Sequence, residues 1–306
     1  MNKKIIWITG IHGFIGRHLE SEMIKNPDNQ VFGLGTSCHL GIDHNCISKP
    51  INANNLDILL SKSGNPNYIF HLSGGSSVPL SIKNPLEDFN KTVNATEELL
   101  DWMRRRTCDA KLLIVSSAAV YGDCSISEIP EDNVTNPLSP YGLHKSLIEK
   151  MSKYYAKNYN LKLVIVRLFS VYGIGLRRQI IWETCRRIFE NSDELLFSGT
   201  GLEKRDWLNI GDAISLLIFS IKLADYNSPI YNGGSGKPLE VREMVNKICS
   251  VWGSKIPIRF DGITRAGDPF SLVASLKKIN SCGWTPKVNI NTGLIETVAW
   301  VKRNII

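Results

Sequence analysis

Tyr141 and Lys145 stand four residues apart in "SPYGLHKSLIEK", residues 139–150, at the start of an apolar stretch with helical spacing. Spacing of i, i+4 puts both side chains on one face of a helix, one turn apart. Packing alone would ask for an apolar side chain at 145, not an ammonium. Proton chemistry asks for a donor with a cation fixed beside it. A tyrosine phenol has an unperturbed pKa of about 10, and nearby positive charge favours the phenolate. Tyr141 is therefore expected to exchange a proton with a sugar or alcohol oxygen. Ser117 ends the buried run "AKLLIVSS" and is expected to hydrogen-bond the same oxygen as charge develops on it.

The elements that would carry these groups alternate. "KKIIWITG" reads as a buried strand and "FIGRHLESEMIK" as an amphipathic helix. "NQVFGLG", "NYIFHLSGG" and "AKLLIVSSAAVYG" read as further strands. Residues 86–106 and 141–158 read as helices, and "LKLVIVRLFSVYG" (161–173) as one more buried strand. Such alternation predicts an α/β fold, a Rossmann-like doubly wound parallel sheet. Ligands of such sheets lie beyond the C-terminal ends of the strands. Here those ends carry Gly10, Leu72, Ser73, Gly74, Ser116, Ser117 and Ser170.

"TGIHGFIG" places Gly10, Gly13 and Gly16 three apart, between the first strand and the first helix, which Phe14 and Ile15 open. Glycine permits the tight turn and the approach of a pyrophosphate to a helix N-terminus. Dinucleotide binding is the expected outcome, and the positive nicotinamide ring would add to the pull of Lys145 on the Tyr141 phenol. The adenosine ribose is expected near "GLGTSCH", beside Thr36 and Ser37. No carboxylate stands there to repel a 2′-phosphate, so the expectation is NADP(H), with NAD(H) as the alternative cofactor.

The 306 residues, 43% hydrophobic, allow one large or two modest domains. The expected division is a dinucleotide-binding domain over 1–172, with a return segment near 206–234, and a smaller interleaved α/β substrate domain over 173–306. Seven cysteines without a CxxC pair read as free thiols of a reducing cytoplasm. The six histidines form no HxxxH or HExxH pattern, so no metal is expected. The formal charge of +7 suits a small polyanion such as a nucleotide. Arg104–Arg106 read as a solvated helix end, and no nucleic-acid motif accompanies them. No run reaches the roughly 20 apolar residues of a membrane span. The apolar run at the N-terminus is too short for a signal peptide, so a cytoplasmic, non-membrane location is expected.

In order along the chain, "TGIHGFIG", "HLSGGSSV", "SSAAVYG", "SPYGLHK", "RDWLNIGDA" and "RAGDP" resemble the extended short-chain dehydrogenase/reductase family, the NAD(P)-dependent nucleotide-sugar epimerases, dehydratases and reductases. The resemblance implies catalytic roles for Ser117, Tyr141 and Lys145, and a C-terminal region that binds a nucleotide-diphosphate sugar. It implies diphosphate contacts for Arg205 and Arg265, and a sugar-side position for Ser76 and for Gln179 in "GLRRQIIWE". It also implies a homodimer built on helices 88–106 and 140–158, unless Leu147, Met151 and Tyr155 are internal core. The sequence departs from the family pattern at Ala118 and Ala119, where its dehydratases carry Asp-Glu, and at Thr92 and Ser170, where Asn is common.

The intact Ser–Tyr–Lys set without dehydratase acids leads to the expectation of an NADPH-dependent reductase. It would act on the C4 ketone of a nucleotide-linked 4-keto-6-deoxyhexose, giving a sugar such as dTDP-fucose for polysaccharide or O-antigen assembly. The alternative is a UDP-sugar 4-epimerase with tightly bound NAD. A third reading is a dinucleotide-binding protein without catalysis.

Overall fold

A computed structural model describes residues 3–36, 45–106, 109–124, 126–263 and 269–305. The chain forms two compact units. Unit 1 comprises Met1–Tyr121, Thr135–Arg167 and Ile214–Tyr231; unit 2 comprises Gly122–Val134, Leu168–Ala213 and Asn232–Ile306.

Unit 1 is built on a seven-stranded sheet. Its strands are β1 (Lys4–Thr9), β2 (Asn29–Leu34), β3 (Cys46–Ile47), β4 (Tyr68–His71), β5 (Lys111–Ser117), β6 (Leu163–Leu168) and, from later in the chain, β10 (Ile230–Gly233), in the order β10-β6-β5-β4-β1-β2-β3. The first five pair in parallel, with Ile6 opposite both Val31 and Tyr68. Parallel sheets are covered on both faces, which explains strands as apolar as "KIIWIT" and "LVIVRL". Helices α1 (Phe14–Met23), α2 (Ala53–Ser63), α5 (Ala95–Arg105) and α6 (Pro140–Tyr159) return the chain between strands. Two short helices, α3 (Val78–Lys83) and α4 (Pro85–Phe89), lead into a π-helical turn, Asn90–Asn94, that runs on into α5. Trp7 and Trp102 pack with ring centres 5.3 Å apart in a core shared with Leu56, Leu99, Leu112 and Ile148. Leu147, Met151 and Tyr155 of α6 pack against this core.

In unit 2, β9 (Lys204–Asn209) pairs with β7 (Ser170–Tyr172), β11 (Pro238–Glu240) and β13 (Ser271–Leu272), and β8 (Leu195–Phe197) pairs with β12 (Ile258–Phe260). Its helices are α7 (Gln179–Phe189), α9 (Val241–Trp252), α10 (Lys277–Ser281) and α11 (Ile290–Asn304), while α8 (Ile210–Ser220) begins in unit 2 and ends in unit 1. Ile181, Trp207, Met244 and Leu294 form its core.

One expectation is corrected here. The run "LKLVIVRLFSVYG" is two strands, not one. β6 stops at Leu168, the Phe169 N–H donates to the Gly233 carbonyl, and β7 then pairs with β9. Both strands are buried, so the apolar run continues across the break and periodicity cannot mark it. Cys46, Cys124, Cys185, Cys249 and Cys282 form no disulfide. No helix among the described residues is long and apolar enough to cross a membrane.

Candidate active site

The glycine turn sits where β1 meets α1. Gly10 has φ +71°, a left-handed value that favours glycine, and its N–H donates to the Leu34 carbonyl at 2.7 Å. A Cβ on Gly10 would stand 2.9 Å from the Ser73 nitrogen, and one on Gly16 would stand 2.3 Å from the Gly10 carbonyl oxygen. The turn is therefore pressed against the residues that follow β4 and against the start of its own helix. Gly13 is the N-cap of α1 and no side chain caps the helix. Phe14 and Ile15, half-buried, begin the first turn, where helix N–H groups lack intrahelical partners. A bare, donor-rich backbone at a helix N-terminus fits a dinucleotide pyrophosphate. Leu72, Ser73 and Gly74 are half-buried beside it, and Thr36 is exposed beyond β2. Ser37 lies outside the described residues.

Beneath the turn runs a buried chain of side chains. Thr9 Oγ1 lies 2.8 Å from His71 Nδ1, His71 Nε2 lies 3.0 Å from Thr96 Oγ1, and Thr96 donates to the Thr92 carbonyl at 2.6 Å. Burial, and then the Lys145 charge, push His71 down to about 3, so its ring is neutral.

The proton-handling groups stand on β5 and α6. Ser139 caps α6, its Oγ accepting from the Gly142 N–H at 3.2 Å, and Pro140 occupies the first turn. The Tyr141 N–H donates to Ser81 Oγ of α3 at 3.0 Å. β5 ends at Ser117, whose Oγ accepts from the Ala119 N–H at 3.2 Å and opens a 3-10 turn. A Cβ on Gly142 would fall 2.5 Å from the Ala119 carbonyl oxygen. The turn after Ser117 and the turn that carries Tyr141 therefore touch through backbone. Lys145 is buried, donates from Nζ to the Val115 carbonyl at 3.0 Å, and lies 5.9 Å from the centre of the Tyr141 ring. Burial pulls the Lys145 ammonium down to about 8, against the opposing pull of Asp88 and then Glu149.

Glu149 extends the Tyr141–Lys145 line by one more turn. It accepts from Ser116 Oγ at 2.5 Å and from Arg167 Nε and Nη2 at 2.9 and 2.7 Å, all of them buried. Burial works against the Arg167 charge, but the Glu149 carboxylate outweighs it and holds Arg167 up. Arg167 also lies over the Tyr121 ring, 4.7 Å from its centre. Sequence reading missed Glu149. The signal was there, since positions 141, 145 and 149 share a face and a carboxylate in an apolar stretch needs a partner.

Ser76 is exposed just beyond the Gly74–Gly75 turn of unit 1. In unit 2, Arg205 on β9 is buried, and its Nη1 donates to the Lys204 and Phe270 carbonyls at 2.9 and 3.3 Å. Arg265 lies outside the described residues. Gln179 is the exposed first residue of α7, at φ +68°. With Tyr172, Ile180, Trp207 and Thr297 it lines a pocket, and Trp207 Nε1 is a buried donor with no hydrogen-bond partner among the described residues. Burial pushes the Tyr172 phenol up to about 12.

Residues 6–234 match the model of the "NAD dependent epimerase/dehydratase family". The chain is 29% identical to a UDP-glucuronate 4-epimerase of Thermodesulfobacterium geofontis, over 78% of this chain and 73% of that protein. It is 28% identical to a UDP-glucose 4-epimerase of Azospirillum brasilense, over the same shares of the two chains. Among solved structures, MoeE5 in complex with UDP-glucose and NAD superposes with a TM-score of 0.86 at 25% identity, over 98% of this chain and 99% of that one. These similarities overturn the expectation of a 4-keto-6-deoxyhexose reductase, because the relatives are 4-epimerases of UDP-sugars. The motifs that suggested a reductase, an intact Ser–Tyr–Lys set without dehydratase acids, serve an epimerase equally well. The chain belongs to the NAD-dependent epimerase/dehydratase family and is an NAD-dependent enzyme of it.

Proposed function

We propose that this protein is a UDP-sugar 4-epimerase that works with NAD. The observation that carries the reading is the junction of β5 and α6, where Tyr141 and the buried Lys145 ammonium stand beside the Gly74 end of β4. When bound, the dinucleotide supplies the redox chemistry, taking a hydrogen with its electron pair from sugar C4 and giving it back. Tyr141 takes the proton from the C4 hydroxyl and returns it to the same oxygen. Lys145 favours the phenolate by its charge and reaches the cofactor ribose. Ser117 donates to the C4 oxygen while charge is on it. Gly10, Gly13, Phe14, Ile15 and Gly16 receive the pyrophosphate, Leu72, Ser73 and Gly74 flank it, and Thr36 stands towards the adenosine ribose, a contact for which the sequence also offers Ser37. The missing ribose carboxylate permits NADP without requiring it. The NAD held by MoeE5 weighs towards NAD.

Unit 2 carries the groups for the nucleotide diphosphate. Arg205 and Arg265 offer guanidinium pairing, and Gln179 offers an uncapped helix start beside the unpartnered Trp207 N–H. In unit 1, Ser76 is assigned to the sugar. Cofactor binding is assigned to unit 1 and substrate binding to unit 2, whose bounds differ from a division at residue 172: Gly122–Val134 falls in unit 2, and the segment that returns to unit 1 is Ile214–Tyr231. A homodimer would pair helices 88–106 and 140–158 across a two-fold axis, with Leu143 and Tyr154 exposed on α6.

The test is direct. Purified protein is analysed for bound nucleotide, then incubated with UDP-glucose, UDP-glucuronate and UDP-N-acetylglucosamine, with proton NMR following C4 configuration. Co-purified NAD and a C4 epimer from at least one sugar, without net change in NADH or NADPH, is the expected result. Stoichiometric NADPH consumption with a 4-keto sugar, and no epimer from any UDP-sugar, would sink the reading.

A further inference from the structure

The glycine turn that meets Lys145 also meets a buried carboxylate that no motif announced. Asp88 on α4 is buried, and its Oδ2 lies 2.6 Å from Nδ1 of His144, also buried. A carboxylate only accepts, so His144 Nδ1–H is the donor. The other carboxylate oxygen faces the turn after β4, since a Cβ on Gly75 would fall 1.8 Å from Asp88 Oδ1. Four residues on, in the π-helical turn, Thr92 Oγ1 accepts from the Gly75 N–H at 2.8 Å. Single π turns recur at functional sites. The Phe89 ring meets the His144 ring edge-on, with centres 5.4 Å apart. The neighbouring Gly74 is pressed against Lys145, because a Cβ there would stand 3.2 Å from Nζ. α4, the π turn, the Gly74–Gly75 turn and α6 are thus tied together around one ammonium.

We infer that Asp88, clamped by His144, is a positioning residue for catalysis, holding the Lys145 ammonium and the Gly74–Gly75 turn in their working arrangement. The inference rests on Lys145 being the active-site cation. Charged and titratable groups face Lys145 from each element around it: Asp88 from α4, Tyr141 and Glu149 from α6, and His71 from β4, with His144 and Arg167 behind the two carboxylates. The two carboxylates are held differently. Glu149 is gripped bidentately by a guanidinium, whereas Asp88 is held by a single bond from an imidazole. Of the two, Asp88 exerts the larger opposing pull on the Lys145 ammonium. A structural device for packing alone would not need a carboxylate beside a glycine that leaves it no room for a side chain.

The experiment pairs a titration that needs no substrate with kinetics. Lysine is labelled with carbon-13 at Cε, the Lys145 signal is assigned from Lys145→Arg, and its titration is followed in wild type, Asp88→Asn, His144→Leu and His144→Gln. Loss of the Asp88 charge is expected to lower the Lys145 titration midpoint by at least half a pH unit. The alkaline limb of kcat should move the same way, with kcat down about tenfold and KM within about threefold. His144→Leu should reproduce a fraction of this, and His144→Gln, which keeps an N–H donor, should recover most of it. A Lys145 midpoint unmoved in Asp88→Asn, with only a lower melting temperature, would overturn the inference. Should Asp88→Asn fail to fold, His144→Leu is measured in its place, and an unmoved Lys145 midpoint there overturns the inference in the same way. A wild type that turns over no UDP-sugar would defeat the proposed function but leave the titration arm standing.

Discussion

The openings of α6 and α7 differ in almost every respect. At α6 a serine side chain caps the helix, proline fills the first turn, the Tyr141 N–H is held by Ser81, and Gly142 fits against the Ala119 carbonyl. At α7 no side chain caps the helix, Arg178 stands at the N-cap, and Gln179 sits exposed in a left-handed conformation. One helix start is fixed by three separate contacts and a proline, and carries the residues that would move a proton. The other has no side-chain cap and stores strain. The contrast matches the demands of the two tasks that the proposed function assigns to these helix starts. Proton transfer needs geometry fixed in advance, whereas binding a flexible diphosphate needs exposed donors.

The sharpest way to break this contrast is at α6. Tyr141→Phe removes one oxygen and is expected to lower kcat by about 10²–10⁴-fold, with the melting temperature nearly unchanged. A loss under tenfold would move the proton-transfer role elsewhere. Glu149→Leu comes next. It strands the buried Arg167 charge and the Ser116 hydroxyl, and removal of one partner of a buried pair costs about 3–5 kcal/mol. Chemical denaturation should show that loss, while Glu183→Gln on the exposed face of α7, where its partner Arg186 is also solvated, should change stability by under about 1 kcal/mol.

Acid sharpens the comparison from another side. His71 is held near 3 in the folded state, well below its ordinary value of about 6.5. Between those values the unfolded chain binds a proton that the folded chain does not, so stability falls as pH falls from about 6.5 towards 3. The slope is at most about 1.4 kcal/mol per pH unit, and above pH 6.5 the group contributes nothing. Fluorescence of the paired Trp7 and Trp102 should report this in unit 1, and His71→Asn should flatten the slope.

Much of unit 1 was legible because its signals are local. The glycine triplet, the serine at the end of β5 and the i, i+4 pair each follow from a few neighbouring residues, and the structure places them where β1 meets α1, at the end of β5 and in the first turns of α6. What stayed hidden depends on contacts between distant segments. Asp88 and His144 are 56 residues apart and Glu149 and Arg167 18 apart, and neither pair has a spacing that marks it. The two-strand break at Phe169 was hidden for the opposite reason, since burial on both sides erased the polar punctuation that marks a strand end. Reductase and epimerase share one set of proton-handling groups, so the reaction was not readable from those residues at all.

The smallest effect expected is at Gln179, and it tests whether the α7 opening trades stability for binding. A non-glycine residue at positive φ costs roughly 1–2 kcal/mol, and glycine escapes that cost. Gln179→Gly should therefore raise stability by up to about 1 kcal/mol, partly offset by the greater freedom of glycine in the unfolded chain. If the side chain also helps to hold the substrate, KM for the UDP-sugar should rise severalfold while kcat stays within about twofold. Gln179→Ala keeps the strain and loses the amide, so it should raise KM without stabilising the fold. A Gln179→Gly variant that is less stable and binds as well as wild type would mean that the left-handed start of α7 is held by contacts of the glutamine itself. The difference between the two helix openings would then lie in exposure alone.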